Sequence, residues 1–286
     1  MSDYQLSPQI SLGPVELTIR NLDQSIDFYT QVIGFDLISR NLNHATLGME
    51  NIPLVQLVEN PAAQQTRGTT GLYHFAILVP QRNALAEALK RIIRTETPVQ
   101  GFADHGVSEA IYLPDPDGNG IEIYRDRPRP EWPFKNGELQ MITDPLDLED
   151  LLSESNGDDH ESSNMPTGTK IGHMHLHVRD IPETVSFYRD VLGFDLKQRY
   201  GSSAAFLAAG DYHHHIGVNT WAGVGAPPPP DGSVGLRSFS IRLPENDFNR
   251  LELNLRQNGI EYRSTEHGFN LKDPSGNLIQ FCVLEK

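Results

Sequence analysis

The stretch SIDFYTQVIGFDL (residues 25–37) returns as TVSFYRDVLGFDL (residues 184–196), with Phe28 matched to Phe187 at an offset of 159. A repeat of this kind constrains a fold before any local pattern does. Two further pairs follow at nearly the same spacing. YLPDPDGNGIEIY (112–124) matches NLKDPSGNLIQFC (270–282) at an offset of 158, and GLYHFAILVP (71–80) matches GLRSFSIRLP (235–244) at 164. The chain is therefore an internal duplication. Each copy holds two smaller units that open on an alternating strand, pass through a helix and close on further strands. Unit starts fall near Pro14, Gly71, Gly172 and Gly235. This predicts four modules in two domains: residues 10–126 (modules 1 and 2), an acidic linker over 127–169, and residues 170–286 (modules 3 and 4).

Local patterns agree. Val15 to Arg20 alternates as a strand does, and Ile26, Phe28, Tyr29, Val32 and Ile33 fall at helical spacing. Gly34 suits a helix end. Phe35–Arg40, Ala45–Met49 and Leu54–Glu59 read as three more strands, completing a βαβββ pattern. Module 2 repeats it, with Tyr73–Val79, a helix over Asn83–Arg94, and strands at Glu109–Leu113 and Ile121–Tyr124 around the turn-forming DPDGNG. In module 3, Ala204–Ala209 and His214–Thr220 read as strands. Within the linker, MITDPLDLEDLLSE predicts a short helix and SNGDDHESSN an unstructured tract.

Composition sets further bounds. The 286 residues suit about two domains, and a formal charge of −15 excludes nucleic acid or an anionic membrane as the main partner. One cysteine, Cys282, rules out a disulfide framework. MSDYQLSPQISLG has no basic start and no apolar run, so it does not read as a secretory signal. A cytoplasmic protein is expected, and a homo-oligomer is compatible with the sequence.

Comparing duplicate positions exposes the chemistry. His173 opens module 3 where module 1 has Pro14. His74 opens module 2 where module 4 has Ser238. Glu122 closes module 2 where module 4 has Gln280. Only modules 2 and 3 together offer two histidines and a carboxylate, the facial-triad ligand set for Fe(II), with Mn(II) as the alternative. One metal site is expected between the central modules, and a degenerate one between modules 1 and 4. His173, His175 and His177 share a strand face but span roughly 13 Å, so they cannot all reach one ion; His173, at the strand entry, is the candidate ligand. Each histidine taken alone reads more simply as a packed or surface residue.

Other candidates surround these. In the run His213-His214-His215, an extended backbone would put His215 near the metal as a proton donor or acceptor. Such a run could also be a chance surface tract or a metal scavenger. Tyr112 flanks the DPDGN turn opposite Glu122 and could bond a substrate phenolate, or merely pack across strands. His105 lies on a glycine-containing loop at a plausible lid position. Tyr73 and Trp221 could line a pocket for an aromatic ring or belong to the core.

GHMHLHVRDIPETVSFYRDVLGFDL and YLPDPDGNGIEIY resemble the vicinal oxygen chelate superfamily, and within it the type I extradiol ring-cleaving dioxygenases. The resemblance covers all four modules. It implies an α+β fold of the glyoxalase/bleomycin resistance/dihydroxybiphenyl dioxygenase kind, whose paired βαβββ modules form open cups around a site. It implies His173, His74 and Glu122 as metal ligands, Tyr112 on the substrate and His215 as acid/base. The expected partners are then a small aromatic diol, catechol or a hydroquinone, and O₂. Better-known members take their ligands from the two C-terminal modules in the order His, His, Glu; here the order is His74, Glu122, His173. The same fold also serves metal-dependent isomerases and lyases and metal-free binding proteins that confer resistance. These remain the alternatives.

Overall fold

The computed structural model describes residues 4–155 and 164–284. Residues 156–163, most of the tract expected to be unstructured, lie outside the described part. Module 1 runs β1 (Ser11–Ile19), α1 (Leu22–Asp27), β2 (Asp36–Arg40), β3 (His44–Met49) and β4 (Ile52–Glu59). Module 2 runs β5 (Gly71–Leu78), α2 (Arg82–Arg94), β6 (Gly101–Asp104), β7 (Ser108–Pro114) and β8 (Gly120–Asp126). The linker carries a small hairpin, β9 (Phe134–Lys135) and β10 (Glu138–Leu139), and the short α3 (Leu148–Ser153). Module 3 runs β11 (Lys170–His177), α4 (Ile181–Ser186), β12 (Asp195–Tyr200), β13 (Ala204–Ala208) and β14 (Ile216–Asn219). Module 4 runs β15 (Gly235–Leu243), α5 (Glu245–Gln257), β16 (Arg263–Thr265), β17 (Gly268–Lys272) and β18 (Leu278–Val283). The α+β fold of repeated βαβββ modules is the one the repeats predict.

The duplication is visible in the caps. Asn21 accepts a hydrogen bond from the backbone of Gln24 at 3.0 Å, and Asp180, its counterpart, accepts one from Glu183 at 2.7 Å. Such caps satisfy amides that a first helical turn leaves free. Both helices then widen into one π-helical turn, Phe28–Ile33 and Phe187–Val191, a change that 3.6-residue periodicity does not reveal. Gly34 follows the first turn in the left-handed region, at φ 91°, a conformation in which a Cβ is costly.

The strands form two curved runs. One, β6-β7-β8-β5-β11-β14-β13-β12, joins module 2 to module 3. The other, β2-β3-β4-β1-β15-β18-β17-β16, joins module 1 to module 4. The two meet where Leu12 of β1 pairs with Ile171 of β11. Sheet pairing therefore crosses between the copies. The helices bury apolar faces such as Leu85, Leu89 and Ile92 of α2 against the sheets.

Candidate metal centre

Register places the ligands. Across the first run, Tyr112 of β7 lies opposite Glu122 of β8, Glu122 beside Ala76 of β5, and Ala76 opposite His173 of β11. Residues in one such row share a face of the sheet. The methyl group of Ala76 leaves room for Glu122 and His173 to lean together above it. His74, two residues before Ala76, is on the same face. A second row runs His74, His175, Gly217, Phe206 and Gln198. Gly217 lets the ring come close, since a Cβ there would lie 3.0 Å from Cγ of His175 and the ring would have to give by a few tenths of an ångström.

His74, Glu122 and His173 are buried, at 6 %, 2 % and 1 % exposure, with ligand atoms within 4.8 Å of one another. Nε2 of His74 and Nε2 of His173 each approach Oε2 of Glu122 at 3.0 Å. His74 Nε2 nevertheless makes no hydrogen bond among the described residues. Leaving a buried polar atom unpaired costs about 1–3 kcal/mol, and a cation between the three groups removes that cost. Burial raises the Glu122 carboxyl, but the charge and hydrogen bond of His173 and the charge of His74 outweigh it and hold the group well below the usual carboxylate range. Burial pushes His173 down to about 4 against the opposing pull of Glu122. Neutral imidazole and ionised carboxylate are the forms that ligate metals. The three residues form a facial triad that suits Fe(II) or Mn(II).

The triad opens on a cavity of about 470 Å³ lined by Tyr73, His105, Tyr112, Tyr200, Phe206 and Trp221, among others. His105 Nδ1 lies 2.7 Å from the Ile142 carbonyl, which can only accept, so this nitrogen carries the proton. In the neutral ring its Nε2 then accepts from the Tyr112 hydroxyl at 2.7 Å. Burial first, and the Glu122 charge second, hold the Tyr112 phenol well above its ordinary value, so it keeps its proton.

The structure does not bring His215 to this centre. Residues 213–215 form a bend and β14 begins only at Ile216, so the alternation assumed from sequence does not hold. His215 faces a separate cleft with Asp126, Trp132 and Lys170, and its Nδ1 accepts from the backbone of Ala209 at 3.2 Å. His214 takes the place beside the metal ligands. Its ring lies 4.1 Å from that of His173 and lines the cavity, and burial holds it well below the ordinary histidine value. His175 also lines the cavity, 4.9 Å from the His74 ring. The linker contributes Met141, Ile142 and Thr143 to the wall. Apolar residues within an otherwise acidic stretch were the available signal for that.

In the second run, the place equivalent to the triad is filled by side chains bonded to one another. Ser238 Oγ donates to Glu16 at 3.0 Å, and Gln280 Nε2 donates to Ser238 Oγ at 2.8 Å.

The model of the Glyoxalase/Bleomycin resistance protein/Dioxygenase superfamily matches residues 11–123 and 170–281, and the chain belongs to that superfamily. Within it, the chain is similar to the catechol-2,3-dioxygenase of Bacillus subtilis (strain 168), 46 % identical over 279 residues, covering 95 % of this chain and 97 % of the relative. A more distant likeness is to biphenyl-2,3-diol 1,2-dioxygenase 3 of Rhodococcus globerulus, 28 % identical over 125 residues, 42 % of this chain and 65 % of that protein. Among solved structures, glyoxalase I from Zea mays shares the fold at TM-score 0.57 and 17 % identity, covering 96 % of this chain and 93 % of its own. Among the described residues, no helix is long and apolar enough to cross a membrane.

Proposed function

We propose that this protein is an Fe(II)-dependent extradiol dioxygenase that opens the ring of catechol or a related dihydroxylated aromatic such as a hydroquinone. The observation that carries the reading is the buried His74–Glu122–His173 triad at the floor of a cavity walled by aromatic rings. Likeness to the Bacillus catechol-2,3-dioxygenase over nearly the whole chain supports it. Bound Fe(II) supplies the redox link between the diol and O₂. The chain's own residues bind and orient the diol and manage its protons.

Tyr73 and Trp221, whose own rings pack edge to face at 5.1 Å, and Phe206 wall the place that a planar ring would take. Tyr112 meets a substrate oxygen, with its hydroxyl held in place by His105. His214 takes the acceptor role that resemblance had suggested for His215, because it is the histidine of that run that lines the cavity. A neutral imidazole is suited to accept a proton from a diol at ordinary pH. A lone carboxylate among the metal ligands, with two imidazoles, favours this reading over isomerase chemistry.

The test is O₂ uptake by Fe(II)-loaded protein supplied with catechol, beside Glu122→Gln. Uptake with a yellow ring-opened product is expected, together with loss of both iron and activity in the variant. Retention of iron and turnover by Glu122→Gln would sink the assignment.

A further inference from the structure

We infer that Asp126 and His213, neither of which lines the triad cavity, are positioning residues that fix the tautomer of His214 so that its Nε2 faces the cavity without a proton. A chain of short contacts leads to this. Oδ1 of Asp126, at the end of β8, lies 2.9 Å from Nε2 of His213. Nδ1 of His213 lies 2.7 Å from Nδ1 of His214. His214 lines the cavity, while Asp126 lines the separate cleft that also holds His215.

The proton inventory follows from which atoms can donate. A carboxylate only accepts, and a neutral imidazole carries one N–H and one bare nitrogen. Across 2.9 Å, two acceptors would repel, so the His213 proton sits on Nε2 and is donated to Asp126. When the ring carries that one proton only, its Nδ1 is bare. A nitrogen 2.7 Å away must donate to it, so His214 carries its proton on Nδ1. The remaining nitrogen of His214, on the far side of the ring, is left as an acceptor. Reversing any one step reverses the last.

The surroundings hold this order. His213 is fully buried, with the ring of Tyr212 at 4.1 Å and that of Trp132 at 5.3 Å, so it has no room to turn over. The Tyr212 hydroxyl donates to Asp126 at 3.1 Å and accepts from Tyr124 at 2.7 Å, occupying the carboxylate from its other side. Positioning of this kind, through a carboxylate and a second ring, sets which nitrogen of a histidine does chemistry.

The tautomer stands on these contacts between neutral rings, while its consequence for turnover rests on the ring-cleavage reading. Two measurements on the full chain separate them. Long-range ¹H–¹⁵N spectra of the protein loaded with diamagnetic Zn(II) report each ring proton directly. His213 protonated on Nε2 and His214 on Nδ1 is the expected result, whether or not any diol is turned over. A wild-type spectrum with His214 protonated on Nε2 overturns the inference. On the iron-loaded enzyme, His213→Phe keeps a packed ring but removes both nitrogens. It is expected to lower kcat about 10- to 100-fold, with KM and iron content little changed. His213→Asn returns an oxygen near the place of Nδ1 and is expected to recover most of the loss, which a merely structural role would not produce. Should His213→Phe fail to fold, Asp126→Ala carries the same expectation for kcat and iron content. Unchanged kcat in His213→Phe, or in Asp126→Ala where that variant stands in, refutes the positioning role.

Discussion

Gly217 shows how a single hydrogen in place of a methyl group shapes the site. The ring of His175 lies over it, and beyond that ring stands His74. Gly217→Ala drives His175 towards the ligand. His175 touches His74 by ring contact and not by a hydrogen bond. The loss of metal affinity should therefore stay at or below about 10-fold, the lower end of what losing a ligand's hydrogen-bond partner costs, and chelator competition would measure it. An unchanged affinity would mean that the sheet, rather than the ring, gives way. The triad itself was legible because the duplication supplies a comparison at each position: His74 against Ser238, Glu122 against Gln280, His173 against Pro14. His214 was not legible. Choosing between it and His215 depends on whether β14 begins before or after the run, and three identical residues carry no boundary signal. Nor was Gly217, since one glycine in a short strand reads the same with or without a ring above it.

At the scale of elements, the two best-preserved motifs touch. The Tyr29 hydroxyl donates to Asp115 at 3.1 Å, and the Tyr188 hydroxyl donates to Asp273 at 3.3 Å. Each aspartate also ties its own turn, accepting from the backbone amides of Asp117 and Asn119 in one copy and of Ser275 and Asn277 in the other. FY in the helix and DPxGN in the turn thus recur together because each satisfies the other inside the protein. Arg91 of α2 and Asn254 of α5 extend the parallel, donating to the Val32 and Val191 carbonyls that the π turns leave free. Tyr29→Phe and Tyr188→Phe should each cost about 1–3 kcal/mol, the toll of leaving a buried acceptor short of a donor. Urea denaturation would read this, and iron content should stay the same. Equal stability in both variants would show that the aspartates find water instead.

At the scale of the whole molecule, acidity should loosen the fold. Burial holds His173 at about 4 and His215 at about 3. It also holds His175 and His214 well below the ordinary value. An unfolded imidazole takes its proton near 6.5. Below that pH the unfolded chain binds more protons than the folded one, so acidification favours unfolding, by about 1.4 kcal/mol per pH unit for each such histidine. Asp115, raised to about 6 by burial, and Asp273, raised likewise, pull the other way between 3.8 and their folded values. The depressed histidines outnumber them. Stability of the metal-free protein should therefore be level above pH 7 and fall from about 6.5 downward, with a shallower fall in His215→Phe. A denaturation midpoint that rose on acidification to pH 5 would contradict this balance.

The seam between β5 and β11 gives the chain a further property. Each copy contributes ligands that are useless without the other, so the centre is in effect a subunit interface carried within one polypeptide. Two separate chains would hold such a centre only above their dissociation constant and would lose it on dilution. Tethering replaces that dependence with a fixed local concentration, on the order of millimolar for a flexible connection. The occupancy of the metal centre is thereby uncoupled from how much of the protein is present, and a few copies are as competent, molecule for molecule, as many.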